Sequence, residues 1–175
     1  MSACTARIGV ISDTHGLLRP EACAALLGCD PIIHAGDIGS QAVLDALSAL
    51  APVIAVRGNN DAGPWAERLP EARVVRIDDT VFYVLHDLSR IPLDVAVHGA
   101  RVVVSGHSHK PLVRRADGVL YVNPGSAGPR RFSLPVTVAQ ITISGDEVSA
   151  RIVDLALEKT LSPRDRSARA CRRSA

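Results

Sequence analysis

The sequence predicts an α/β (α+β) fold in which two mixed β-sheets pack face to face as a sandwich flanked by helices. Three observations carry this expectation. Short apolar, β-branched runs alternate with helical patterns of roughly ten residues early in the chain, as right-handed βαβ units require. Later runs succeed one another across turn signals such as ADG and SGD, which reads as mostly antiparallel β-structure. The composition is 47% hydrophobic but only 3% aromatic, so the core has to be aliphatic.

Along the chain, Arg7–Ser12 (RIGVIS) is a buried strand, and Pro20–Leu27 a helix with Pro in its first turn and Gly28 just past its end. Pro31–Ala35 is the second strand. Ser40 is placed to cap QAVLDALSAL, whose apolar positions recur at helical spacing, and Pro52–Val56 is the third strand. Ala72–Ile77 and Val81–Leu85 flank DDT as a hairpin, a short helix is expected near Leu93–His98, and Arg101–Ser105 is another buried strand. Leu112–Arg115, Val119–Val122, Pro135–Ile143 and Glu147–Asp154 complete the β-structure.

At 175 residues the chain is one domain by size, placed at 1–157. From Glu158 to Ala175 six basic residues stand against two acidic ones, so a net +4 tail succeeds a body of net −2 in a chain of +2 overall. The 158–175 segment reads as a basic, flexible terminus, unstructured after Leu161. The body offers nucleic acid neither stacking platforms nor a phosphate track. Cys4, Cys23, Cys29 and Cys171 form no CxxC pair, which excludes a zinc knuckle or a secreted disulfide framework. The start, MSACTARIGVIS, lacks the pattern of a signal peptide, and no stretch approaches the roughly 18 apolar residues of a membrane span. The expected location is the cytoplasm, with no membrane partner.

In open α/β sheets ligands bind beyond the carboxyl ends of the strands. Each buried strand here runs into polar residues at that end: Asp13-Thr-His15-Gly, Gly36-Asp37, Gly58-Asn59-Asn60-Asp61, His86, and Gly106-His107-Ser108-His109. An Asp after a single strand is ordinarily a turn former or helix cap. Five such ends in an apolar framework converge if the parallel strands are neighbours, and packing alone does not require that. Four imidazoles, two carboxylates and an amide oxygen exceed what one ion takes. Seven ligands with one shared carboxylate suit two ions about 3.5–4 Å apart, the arrangement used in phosphoester hydrolysis. Imidazole and carboxylate without thiolate favour Mn²⁺, Fe²⁺ or Zn²⁺ over Cu(I).

DTHG, GD, GNND, the His after a strand and GHSH, in that order, resemble the motifs of the calcineurin-like metallophosphoesterase superfamily. The IIHAGD and AVRGNND contexts and the later NPGS are similar to its small bacterial and archaeal phosphodiesterase branch, from about Ile8 to about Ile152. The resemblance implies the four-layer metallophosphoesterase fold. It also implies that Asp13, His15 and His109 hold one divalent cation and Asn59, His86 and His107 the other, with Asp37 bridging. Mn²⁺ is the expected metal, with Zn²⁺, Fe²⁺ or Ni²⁺ as alternatives. A hydroxide between the ions would attack phosphorus in line. Asn60 and Asp61 are candidates to support catalysis, and Asn60, Asn123 and Ser126 to contact substrate.

Two departures stand out. Many relatives carry a proton-donating His where this chain has Asn60, which cannot act as a general acid. Where relatives read HGH, this chain has His86-Asp87-Leu88; Asp87 could bond a ligand imidazole or cap a helix, with the cap favoured. His34 reads as a core histidine that packs or bonds a backbone carbonyl, His98 as a helix-surface residue, and Arg57 as facing either a phosphate or a carboxylate. Arg130 and Arg131 are solvated or greet an anionic substrate, and Trp65 covers the loop after Asp61.

The expected function is hydrolysis of phosphodiesters in small molecules by a binuclear enzyme, with a homodimer or homotetramer compatible. Phosphomonoesterase activity is the near alternative. A non-catalytic protein-binding scaffold, resembling the retromer subunit, is the distant one, disfavoured because all seven ligand positions are filled.

Overall fold

The computed structural model describes residues 5–91, 99–131 and 133–158. The expected helix near Leu93–His98 and the basic tail lie outside the described residues, apart from Glu158, which ends a helix.

The first sheet grows from the βαβ units. Strand β1 (Thr5–Ile11) pairs in parallel with β2 (Ile32–His34), and β2 with β3 (Val53–Ala55). On its other side β1 lies antiparallel to β9 (Thr137–Ser144), which pairs with β10 (Glu147–Asp154). Helices α1 (Pro20–Leu26) and α2 (Gln41–Ser48) are the crossovers, and α3 (Leu155–Glu158) comes directly after β10. Strand β1 is buried on both faces, as an interior parallel strand should be. Ile8 and Val10 enter the inter-sheet core, while Ile11 packs with Ala22 and Leu26 of α1. Gly9 lets α1 approach, since a Cβ there would meet Leu26 Cδ2 at 2.6 Å. Ser40 does occupy the N-cap position of α2, but its hydroxyl makes no capping bond.

The second sheet corrects an expectation. Its order is β4 (Ala72–Ile77), β5 (Thr80–Leu85), β6 (Val102–Val104), β8 (Val119–Asn123), β7 (Leu112–Ala116). Pairs β5–β6 and β6–β8 are parallel; only the edge pairs β4–β5 and β7–β8 are antiparallel. Each hairpin turns its partner strand outward, so the central strands meet in parallel. The uninterrupted apolar runs VFYVL and VVV carry that signal, because a strand buried on both faces shows no alternation.

The sheets close on an aliphatic core of Ile, Val, Leu and Ala around the fully buried Phe82. Each large aliphatic side chain buried there contributes about 1.5–3 kcal/mol. A second cluster joins the first sheet to its helices, and a third lies on the outer face of the second sheet around Tyr83, Leu85 and Val103. Both sheets direct the carboxyl ends of their parallel strands to one rim of the sandwich.

Candidate metal centre

The rim loops are built from unusual backbone. Asp13, His15, Asp37, His107 and His109 have φ of 54°, 47°, 53°, 65° and 57°. The other described non-glycine residues with positive φ, Asp78 and Asp117, sit at hairpin turns. Left-handed backbone costs a residue with a Cβ roughly 1–2 kcal/mol, and such strain gathers at functional sites. Backbone bonds between the loops offset it: Asp13 N–H donates to Gly36 O at 3.0 Å and His15 N–H to Asp37 O at 2.9 Å. The loops also interpenetrate closely. A Cβ on Gly58 would lie 2.1 Å from Asp37 N, and one on Gly106 2.0 Å from Ser12 Oγ.

Two polar clusters result. In the first, His109 Nε2 lies 3.2 Å from Asp13 Oδ1 and 3.5 Å from His15 Nε2, with the two rings stacked. Asp13 Oδ2 accepts from Ser12 Oγ and from the His107 N–H, whereas the buried Oδ1 has no hydrogen-bond partner. In the second, Asn59 Oδ1 lies 3.0 Å from His107 Nδ1 and 3.1 Å from His86 Nε2. His86 Nδ1–H donates to Ala35 O at 2.7 Å, so a neutral ring turns the Nε2 lone pair toward the acceptor oxygens. Asp37 Oδ2 stands between the clusters, 3.9 Å from His15 Nε2 and 3.5 Å from His86 Nε2. Ligand atoms of Asp13, His15 and His109 fall within 4.8 Å of one another, and so do those of Asp13, Asp37 and His86, so Asp13 reaches toward both clusters.

The electrostatics ask for positive charge. Burial pushes the Asp13 carboxyl up, only partly offset by Ser12 and the neighbouring imidazoles. Burial also works against charge on Asp37, but bonds from His86 and Asn60 outweigh it and hold that carboxyl below the usual range. Burial lowers His109, leaving a neutral imidazole with a lone pair to offer. For His86 burial acts downward as well, yet Asp37 and the Ala35 carbonyl prevail and raise it. An orphaned carboxylate oxygen, lone pairs facing lone pairs, and a donor set of N and O without sulfur fit divalent cations of the Mn²⁺, Fe²⁺ or Zn²⁺ type.

The supporting candidates separate. Asn60 lies at the rim, donating its N–H to Asp37 Oδ1 at 2.9 Å and Nδ2–H to Oδ2 at 2.6 Å. Asp61 is buried, and both its oxygens accept backbone N–H groups, Gly39 and Gly58 at 2.8 Å each, which clamps two loops. Asn123 and Ser126 lie at the NPGS turn. Both are buried, Asn123 donating to Gly106 O and Ser108 Oγ while accepting from Gly125 N–H, and Ser126 donating to Asp13 O. Their polar groups brace the loops, tying the NPGS turn to Gly106 and Asp13.

Asp87 caps the 3-10 turn Leu88–Arg90 through Ser89 N–H. Arg57 pairs with Glu71 at 2.8 Å, Arg130 donates to Leu134 O, and Trp65 packs on the helix-side cluster. His34 is fully buried, its ring between Thr14 Oγ1 and Gly36 N–H, and burial lowers its pKa to about 3. It is a neutral structural histidine. His98 lies outside the described residues. Ser12, whose hydroxyl donates to Asp13 Oδ2, was passed over in the sequence; its signal is a hydroxyl between a buried strand and the terminal carboxylate. A cleft of about 310 Å³ opens beside the second cluster, with Asn59, His86 and His107 on one wall and Arg57, Tyr83 and Arg90 among the rest.

A two-sheet sandwich whose parallel strand ends collect imidazole, carboxylate and amide donors defines a metal-binding phosphoesterase architecture. The chain belongs to the calcineurin-like phosphoesterase superfamily, whose domain model matches residues 6–146. It is 35% identical over 158 residues to a "Probable metallophosphoesterase" of Methanothermobacter thermautotrophicus, covering 83% of this chain and 91% of that one. It is 32% identical over 137 residues to a phosphodiesterase of Methanocaldococcus jannaschii, covering 68% and 82%. Among solved structures, an archaeal phosphodiesterase superposes with TM-score 0.68 at 27% identity, covering 84% of this chain and 99% of that one. Vacuolar protein sorting 29 of Cryptosporidium parvum shares the fold, with TM-score 0.74 at 22% identity over 86% and 91%.

Proposed function

We propose that this protein hydrolyses phosphodiester bonds of small molecules with two divalent cations, Mn²⁺ first among them. The observation that carries the reading is the pair of facing clusters on either side of Asp37 Oδ2, each joining imidazole nitrogens and an oxygen donor through contacts of 3.5 Å or less. Cations held there would activate water for in-line attack on phosphorus and offset charge on its nonbridging oxygens.

The chain's own residues do the rest. Asp13, His15 and His109 would hold one cation and Asn59, His86 and His107 the other, with Asp37 shared between them. The Ala35 carbonyl fixes the His86 tautomer, and Ser12 and Asn60 orient the carboxylates. The adjoining cleft admits an ester arm of modest size, which favours a small-molecule substrate over a polymer. Asn60 can donate a hydrogen bond but no proton, which tilts the preference toward diesters with tolerable leaving groups over monoesters.

The test is hydrolysis of bis(4-nitrophenyl) phosphate by metal-stripped protein. Activity should return with Mn²⁺, vanish with chelator, and be lost in His107→Ala and Asp37→Ala. Two tightly bound ions with no ester hydrolysed across diesters, cyclic nucleotides and monoesters would instead favour the scaffold reading.

A further inference from the structure

We propose that Ser12 is a positioning residue: it occupies one oxygen of Asp13 and thereby reserves the other for a cation. The inference rests on the two-cation reading above, and three independent features support it. First, Ser12 is fully buried at the end of β1, and its hydroxyl donates to Asp13 Oδ2, which also accepts the His107 N–H at 3.1 Å. Second, Asp13 Oδ1 is buried without a hydrogen-bond partner, 3.2 Å from His109 Nε2. One carboxylate thus has a satisfied oxygen and an unsatisfied one, and the unsatisfied one faces the imidazoles. Third, the hydroxyl is seated where residue 106 has no side chain: a Cβ on Gly106 would lie 2.0 Å from Ser12 Oγ and 2.9 Å from Asp13 Oδ2. The GHSH loop is therefore shaped around this hydroxyl.

The consequence is a ligand that offers one oxygen. Catalytic metal sites keep a coordination position open, and a two-oxygen carboxylate would fill it. With both donors in place, Asp13 cannot swing Oδ2 toward the cation without abandoning Ser12 and the His107 backbone. Without the Ser12 hydroxyl only the His107 N–H resists that rotation.

The experiment is a calorimetric Mn²⁺ titration of the metal-stripped full chain, comparing wild type with Ser12→Ala, Ser12→Cys and Ser12→Thr. His15→Ala and Asn59→Ala serve as markers for the two binding steps. Ser12→Ala and Ser12→Cys should weaken the step that His15→Ala weakens by roughly 10–100-fold, as loss of an outer contact to a ligand typically does. The step marked by Asn59→Ala should stay within about threefold, and Ser12→Thr, which keeps the hydroxyl, should restore the first. Equal weakening of both steps, or a lowered melting temperature of the metal-free variants with unchanged affinities, would make Ser12 a packing residue and overturn the inference. If wild type takes up a single ion, the two-cation reading falls on its own; Ser12 is then judged by whether Ser12→Ala weakens that single step.

Discussion

The two clusters at the rim contain similar donors but meet water very differently. Asp13 is fully buried, His109 is 6% exposed, and the His15 side chain only 18%. Asn59 and His107, by contrast, are exposed, and although His86 between them is buried, the three line a cleft of about 310 Å³. A buried carboxylate with an unpartnered oxygen is costly to leave uncompensated, so the first cluster is committed to positive charge. In the second, Asn59 and His107 can meet water, and they face the space where an ester would approach. Under the proposed function, retention of metal would fall to the first cluster and access of substrate to the second.

Asp37→Ala should have the largest effect, because it removes the carboxylate between the clusters. Activity should fall by well over the roughly 100-fold of an outer-contact change, with both cations lost on dialysis as read by elemental analysis. Next come His109→Ala and Asn59→Ala as a pair. His109→Ala should strip the protein of its more tightly held ion. Asn59→Ala should keep that ion and lose the looser one, and equal losses in the two variants would dissolve the distinction between the clusters.

Acid should then act on the frame beneath the first cluster. His34 has a folded pKa of about 3 against about 6.5 when unfolded, so between those values the unfolded chain binds the extra proton. Stability should be full above pH 6.5 and decline as pH falls toward 3, by on the order of 4 kcal/mol from this residue. Urea melts of wild type and His34→Asn at pH 7 and pH 4 check it; an equal pH dependence in the two proteins would remove His34 as the cause. Asp61→Ala comes next. It frees the two backbone N–H groups that tie the loops after β2 and β3, and should cost about 1–3 kcal/mol in chemical denaturation. The smallest change belongs to Glu71→Gln, whose partner Arg57 lines the open cleft. The pair is well exposed, so stability should move by under about 1 kcal/mol.

The first sheet and the ligand loops were legible because their signal is local. An apolar β-branched run leading into Gly and Asp, or into GHSH, announces both a buried strand and what its end presents. The second sheet was less legible because hairpins look alike whether their second strand lies inside or at an edge. Placing β8 beside β6 with β7 outside is a tertiary outcome. The same applies to NPGS: polar residues after a strand read as substrate contacts, and only packing reveals that Asn123 and Ser126 also hold Gly106 and Asp13. Asp61 is a related case, since its buried carboxylate serves backbone N–H groups that the sequence does not reveal. His34 and the cap at Asp87 were readable from position alone, one ending a buried strand and the other opening a short turn.

The central claim, that five strand ends form a site for two cations sharing Asp37, is tested most directly by anomalous diffraction from crystals of the Mn²⁺-loaded protein. Two manganese peaks are expected, one among Asp13, His15 and His109 and one among Asn59, His86 and His107, both in contact with the Asp37 carboxylate. A single peak, or two peaks with Asp37 bound to only one of them, would contradict it.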